Sequence, residues 1–280
     1  MGQSGRVRPA RRRVSTAAGL VGAVLVLSGC SAELTEQWQR FGLPEPATEE
    51  TSLIGDLWVG SWVAAFAVGI LVWGLILWAA IAYRRRNDEL PTQTRFNMPI
   101  EFLYTATPLV VIGVLFYFTV QHQDEILDTS ERPDLTVGVV GQQWSWAFNY
   151  TDEDVYEVGT TTDVPTLVLP VNQSVRFVLD SPDVIHSFWI PQFYMKMDVI
   201  PGHTNTFQVT PDTEGTFSGK CAELCGAYHS RMLFDVEVVS EQEYEDYIEE
   251  LRDGGRTGQI EVPLRGSYSE TPLNEAGSEQ

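Results

Sequence analysis

The sequence predicts two membrane-spanning helices joined as a hairpin, followed by an all-β domain. Three observations predict it. Residues 57–83 and residues 102–120 carry no charged side chain, and a hydrocarbon core is crossed by about 20 apolar residues in helical form. The stretch between the two runs is basic while their outer flanks are acidic, as expected of a hairpin with its loop in the cytoplasm. From residue 134 to residue 240 short apolar–polar alternations are punctuated by Pro and Gly. Short strands at such spacing build a β-sandwich or a barrel.

The elements follow in order. Residues 1–29 read as an export signal: Arg6, Arg8, Arg11, Arg12 and Arg13 precede a short apolar stretch that is too short to span stably. The segment Leu27-Ser28-Gly29-Cys30 resembles the lipobox of bacterial lipoproteins, which implies a lipoprotein-type signal peptide and lipidation of Cys30. Residues 30–56 are polar, with Pro44 and Pro46, and read as a loose extracytoplasmic lead-in. The first span is assigned to residues 57–83, with Trp58, Trp62 and Trp78 toward its ends, where indoles favour the interface. The loop, residues 84–98, sets Arg84, Arg85, Arg86 and Arg95 against Asp88 and Glu89. The second span is assigned to residues 99–121, with Pro108 expected to kink it. Glu49, Glu50 and Asp56 on one outer flank, and Asp124, Glu125 and Asp128 on the other, turn both ends outward. These features describe a multi-pass protein of a bacterial cell membrane whose β-domain, residues 134–240, lies on the extracytoplasmic side.

Within that domain Ser174–Asp180, Thr206–Thr210 and Leu233–Val238 show clear alternation. Ser240-Glu-Gln-Glu243 is a capping box that opens an acidic helix over residues 240–252. Residues 253–280, rich in Gly, Ser, Pro and Glu, read as a mobile tail. The chain holds 18 Lys+Arg against 38 Asp+Glu, a formal charge of −20. That balance argues against nucleic acid, whose phosphates need basic patches, and suits a basic protein partner.

The chemistry concentrates in Cys221-Ala-Glu-Leu-Cys225-Gly-Ala-Tyr-His229-Ser-Arg-Met232, with His186 upstream in Asp183-Val-Ile-His-Ser-Phe-Trp-Ile-Pro191. Thiolate, thioether and imidazole together select copper. A single blue-copper ion uses one Cys, two His and a weak Met, so a second Cys suggests two copper ions bridged by two sulfurs. A structural zinc site has little use for Met232. A Cys221–Cys225 disulfide is possible in an oxidising compartment but leaves two His and a Met clustered without a purpose.

The hairpin, the exported β-domain and the pattern C-x-E-x-C-x-x-x-H-x-x-M together resemble subunit II of cytochrome c oxidase over most of residues 50–250. The resemblance implies a cupredoxin-like Greek-key barrel and a dinuclear copper centre, CuA. Cys221 and Cys225 would bridge the two copper ions. His186 and His229 would bind one copper each, Met232 would be a weak ligand to one, and the carbonyl of Glu223 a weak ligand to the other. In Gly141-Gln-Gln-Trp144-Ser-Trp146 the first Trp corresponds to the family's point of electron input from cytochrome c, against the plainer reading of Trp144 and Trp146 as core residues. The Glu223 carboxylate corresponds to a ligand of magnesium shared with subunit I, or serves an interface salt bridge. Glu101 corresponds to a carboxylate proposed to feed protons into subunit I, or is an ordinary helix N-terminal carboxylate. Asp198 matches an interface segment, while His203 stands where other members commonly have Arg and is not counted as a ligand. The activity implied is transfer of electrons from cytochrome c, soluble or on a tethered haem domain, to haem in subunit I. Reduction of oxygen to water and proton pumping belong to the complex with subunit I and its other subunits. Three rivals remain on the residues: a lipid-anchored extracytoplasmic copper-binding protein or chaperone, a metal-free quinol oxidase subunit II, which would lack these ligands, and nitrous oxide reductase, which needs a further large domain.

Overall fold

The computed structural model describes residues 32–90 and 92–261. The signal segment, Cys30, Pro91 and residues 262–280 lie outside the described residues, so neither export processing nor lipidation is observed. The first described unit ends at Pro44 and contains helix α1, Ala32–Gln39. The lead-in is therefore not loose throughout. Its polar composition hides a local helix ended at Gly42, whose φ of +84° favours glycine.

In the second unit, α2 spans Thr51–Ala82 and α3 spans Met98–Ile126. α2 starts before the predicted span and α3 runs on past it. Helical hydrogen bonding continues through polar residues beyond the apolar stretch, so an apolar run marks only part of each helix. Both helices are long and apolar enough to cross a membrane. At the start of α3 the Asn97 side chain accepts from the Ile100 amide, and the Asn97 amide donates to Glu101 Oε1 at 2.8 Å. Donors left over in the first turn are met there by the chain's own side chains.

Ten strands follow: β1 Leu135–Gln142, β2 Ser145–Tyr150, β3 Val155–Val158, β4 Thr166–Pro170, β5 Val175–Asp180, β6 His186–Ile190, β7 Met195–Val199, β8 Asn205–Val209, β9 Gly215–Cys221 and β10 Leu233–Val239. They form two five-stranded sheets, ordered β3-β2-β1-β5-β8 and β4-β10-β9-β6-β7. The chain passes repeatedly from one sheet to the other. Two of the pairings this creates, β1 with β5 and β4 with β10, are parallel. This is the sandwich, or half-barrel, of the expected cupredoxin-like Greek-key type. Aromatic rings fill the space between the sheets: Phe188 stacks on Phe234 at 4.8 Å, and Trp146 meets both edge-on. Each such pair adds about 0.5–1.5 kcal/mol beyond area burial.

Alternation fails to reveal β2 because both its faces are covered, and β6 because four of its five residues are buried. Every residue of β2 is buried. Its outer side is closed by residues 256–261, where Asn149 exchanges hydrogen bonds with the Ile260 backbone at 3.0 and 2.8 Å, Thr257 bridges Val155, and Arg256 pairs with Glu157. The front of the supposed mobile tail is thus a strap. Its Gly and polar residues suit an extended crossing as well as they suit disorder. Helix α4, Glu241–Asp253, opens with the capping box Ser240/Glu243.

The segment leading into α2 is spliced into the β-domain. The Ala47 amide donates to the Gln192 carbonyl at 3.1 Å, Thr48 bridges Pro211, and the Asp212 amide donates to the Ala47 carbonyl at 3.1 Å. The Thr210 amide donates to both carboxylate oxygens of Glu50, at 3.0 and 3.1 Å.

Candidate metal centre

Two neighbouring strand ends and one loop build the site. β6 starts at His186, β9 ends at Cys221, and Phe188 lies opposite Cys221 in the ladder. The loop that follows is pinned at both ends. The Ala222 amide donates to the Ser187 carbonyl at 2.9 Å, and the Cys221 amide to the Met232 carbonyl at 3.0 Å. A short turn, His229–Arg231, then returns the chain to β10. Between these pins the loop reverses at Gly226, where φ is +132°. The Gln143 side chain ties the loop down by donating to the Cys225 carbonyl at 2.7 Å.

This folding gathers six donors. The sulfurs of Cys221 and Cys225 are 3.8 Å apart, far beyond the roughly 2.05 Å of a disulfide, and both thiols are free. His186 Nδ1 is 3.9 Å from the Cys221 sulfur, and His229 Nδ1 is 3.6 Å from the Cys225 sulfur. Met232 Sδ is 3.8 Å from the Cys225 sulfur, and the Glu223 carbonyl is 3.2 Å from the Cys221 sulfur. His186, Cys221, Cys225 and Met232 are buried. One imidazole and one weaker donor thus stand beside each sulfur of the pair. Soft donors in this number fit copper and leave zinc's four-ligand preference overfilled.

Electrostatics divides the two thiols. Burial pushes Cys221 up, but hydrogen bonds to His186 and to the Ser187 and Glu223 backbone outweigh it and draw the thiol down to about 6. Cys225 is pushed up to about 12 by burial and then by the negative charge of Cys221. A metal must displace that second proton to gain both thiolates. Burial disfavours the charged form of His186, yet its bonds to Cys221 and Asp183 raise its pKa overall.

Asp183 has no place in the sequence reading, and the structure gives it one. Its Oδ1 lies 2.9 Å from His186 Nε2, which leaves Nδ1 facing the sulfurs. The amides of Gln143 and Val184 donate to the same carboxylate at 2.7 and 2.6 Å. Burial raises this carboxyl, but these donors and His186 hold it below the ordinary aspartate range. A carboxylate behind a ligating His is the usual device for fixing ring and tautomer. The spacing D-x-x-H was its only signal in the sequence.

Trp144 is half-buried over the loop. Its ring meets Tyr228 edge-on at 5.1 Å, and a Cβ at Gly226 would come within 2.9 Å of the indole nitrogen. Trp146 is fully buried in the core, with its indole N–H 3.4 Å from the Met232 carbonyl. The Glu223 side chain is exposed. Glu101 sits at the start of α3, in the loop-side half of the hairpin and apart from this cluster.

A family model described as "Cytochrome C oxidase subunit II, periplasmic domain" matches residues 160–239. The chain is 50% identical to the probable cytochrome c oxidase subunit 2 of Streptomyces avermitilis, an alignment covering 90% of this chain and 91% of that one. It is 34% identical to cytochrome c oxidase subunit 2 of Mycobacterium tuberculosis, over 90% of this chain and 86% of that one. The crystal structure of the periplasmic domain of subunit II of cytochrome oxidase from Bradyrhizobium japonicum is 31% identical to it, covering 44% of this chain and 97% of that one, with a TM-score of 0.41. Half of its aligned residues are shared with a relative along nine-tenths of its own length, and the chain belongs to the cytochrome c oxidase subunit II family, copper-binding components of terminal oxidase complexes.

Proposed function

We propose that this chain is the subunit through which electrons enter a cytochrome c oxidase, received from cytochrome c at a dinuclear copper A centre and passed to haem in subunit I. The observation that carries the reading is the pair of free sulfurs 3.8 Å apart, flanked by two imidazole nitrogens. Two copper ions held there would supply storage of one electron shared between two metals. The chain's own residues do the rest. Cys221 and Cys225 would hold the metal through two sulfurs from one loop, His186 and His229 would each add a nitrogen, and Met232 and the Glu223 carbonyl would add weaker donors. Burial among Trp146, Phe188 and Phe234 excludes water from the inner side. Asp183 holds His186 in register. Trp144, half-exposed over the loop, offers an aromatic edge to a donor.

Further assignments belong to the same reading. The exposed Glu223 carboxylate is a hard ligand suited to magnesium shared with subunit I. The Glu101 carboxylate is engaged with the Asn97 amide, which favours a capping role over proton uptake. The two membrane-capable helices support a bacterial membrane protein with its β-domain on the extracytoplasmic side. Cys30 remains the candidate lipidation site.

Electron paramagnetic resonance of the copper-loaded full chain tests the centre. A mixed-valence pair gives hyperfine structure shared by two equivalent nuclei. A spectrum from one isolated nucleus, or a stoichiometry of one copper per chain, would sink the proposal.

A further inference from the structure

One ring on the metal loop has no part in the donor set and is held in place all the same. Tyr228 immediately precedes His229 and is 47% exposed. Its backbone is braced on both sides. The Arg231 amide donates to the Tyr228 carbonyl at 2.8 Å, the His229 amide to the Gly226 carbonyl at 3.2 Å, and the Met232 amide to the His229 carbonyl at 3.2 Å. Bonds between residues three apart make a 3-10 turn, in which side chains at i and i+3 eclipse. His229 and Met232 are such a pair, and both reach the Cys225 sulfur, at 3.6 and 3.8 Å. Tyr228 lies one residue, about a third of a turn, off that inward row, and so stands on the rim of the loop.

On the rim it meets Trp144. The two rings touch edge-on, with centres 5.1 Å apart and planes at 71°. Trp144 is the more enclosed of the two, half-buried overall and with its indole nitrogen fully covered. That nitrogen edge packs on Gly226, the residue after Cys225, where a Cβ would come within 2.9 Å of it. A continuous row of packed groups thus leads inward from solvent: Tyr228, Trp144, Gly226 and then Cys225. A tyrosine in such a place offers flat contact area at small loss of side-chain freedom. The exposed edge of a c-type haem is likewise flat and apolar.

We propose that Tyr228 is the group on which the electron donor lands, its ring set against the exposed haem edge of a c-type cytochrome, with Trp144 behind it as the inner ring of the path. The proposal rests on the electron-entry reading above and divides that entry between two rings. Tyr228 holds the donor, and Trp144 couples it to the loop. One electron leaves the donor's haem iron, which passes from ferrous to ferric, and reduces the metal centre by one electron. Neither ring changes its net oxidation state, and no proton is transferred.

The copper-loaded full chain in detergent is mixed with reduced soluble cytochrome c, and the rate of its reduction is followed against cytochrome concentration. Binding of oxidised cytochrome c is measured separately by calorimetry, without turnover. Tyr228→Ala should weaken binding about tenfold, the loss expected for one well-packed interface ring. The half-saturating concentration should rise to match, a larger change than any in the saturating rate, and the copper spectrum should stay the same. Tyr228→Phe keeps the ring and should behave as the wild type, whereas Trp144→Ala should lower the saturating rate. Unchanged binding in Tyr228→Ala would overturn the proposal. So would loss of copper or an altered copper spectrum in that variant, because the ring would then be a prop for the loop. If Trp144→Ala alone is slow, the electron-entry reading stands and only the role of Tyr228 falls. If the cytochrome cannot reduce even the wild-type chain, that reading is rejected and the proposal with it.

Discussion

Asp183 and Trp144 flank the same cluster and should fail differently when removed. Asp183→Ala takes away the acceptor for His186 Nε2 and frees two backbone amides. Loss of such a supporting partner typically weakens metal binding about 10–100-fold, to be read by chelator competition. Trp144→Ala leaves all six donors in place, so copper content should stay unchanged while electron input from cytochrome c slows. Normal copper retention in Asp183→Ala, or normal input in Trp144→Ala, would remove the role assigned to that residue. The donors themselves were legible from residue type and spacing, because soft side chains have few other reasons to cluster. Asp183 was not, because an aspartate near a loop histidine is common, and only the folded distance separates a support from a surface charge.

At the scale of elements, β9 and β10 are fitted around one missing side chain. Gly219 lies opposite Phe234, and a Cβ there would come within 2.0 Å of a fully buried ring. Gly219→Ala should therefore destabilise the β-domain, at the upper end of the roughly 1–3 kcal/mol range for overpacking. A lowered denaturant midpoint of the full chain in detergent checks it, and an unchanged midpoint would mean that the ring yields. Helix α4 gives a prediction in pH. Glu243 is held below the ordinary glutamate range by the Ser240 hydroxyl and amide. Its share of the cap is complete above the usual value of 4.5 and is lost as pH falls through the depressed folded value. Thermal midpoints of the wild type and Ser240→Ala should thus differ at pH 6 and draw together toward pH 3. A gap independent of pH would exclude the carboxylate from the cap. The box was readable because its chemistry is local. Strand β2 was not, since its outer face is covered by a segment distant in sequence and no alternation survives.

For the whole molecule, charge is the property that reaches farthest. A formal charge of −20 would steer a basic donor toward the domain, and steering of this kind accelerates association by about 10-fold or more at low salt. Turnover with a soluble basic cytochrome c should fall steeply as the Debye length shrinks from about 30 Å to about 8 Å, between 0.01 and 0.15 M salt. A flat response would point to a donor tethered alongside. The general plan of hairpin and β-domain was legible because lipid and strand geometry each impose a period on the sequence. The strap formed by residues 256–261 was not, because its hold on Asn149, Val155 and Glu157 exists only after the sheet has formed.

The splice between residues 47–50 and residues 192 and 210–212 decides how such a molecule trades with its neighbours. A head fastened on two sides to its post does not swing like a tethered arm. On the proposed reading a soluble carrier would have to travel to it, and the onward jump would cross a gap of fixed width. Throughput should then follow the carrier's concentration and leave no trace of a hinge.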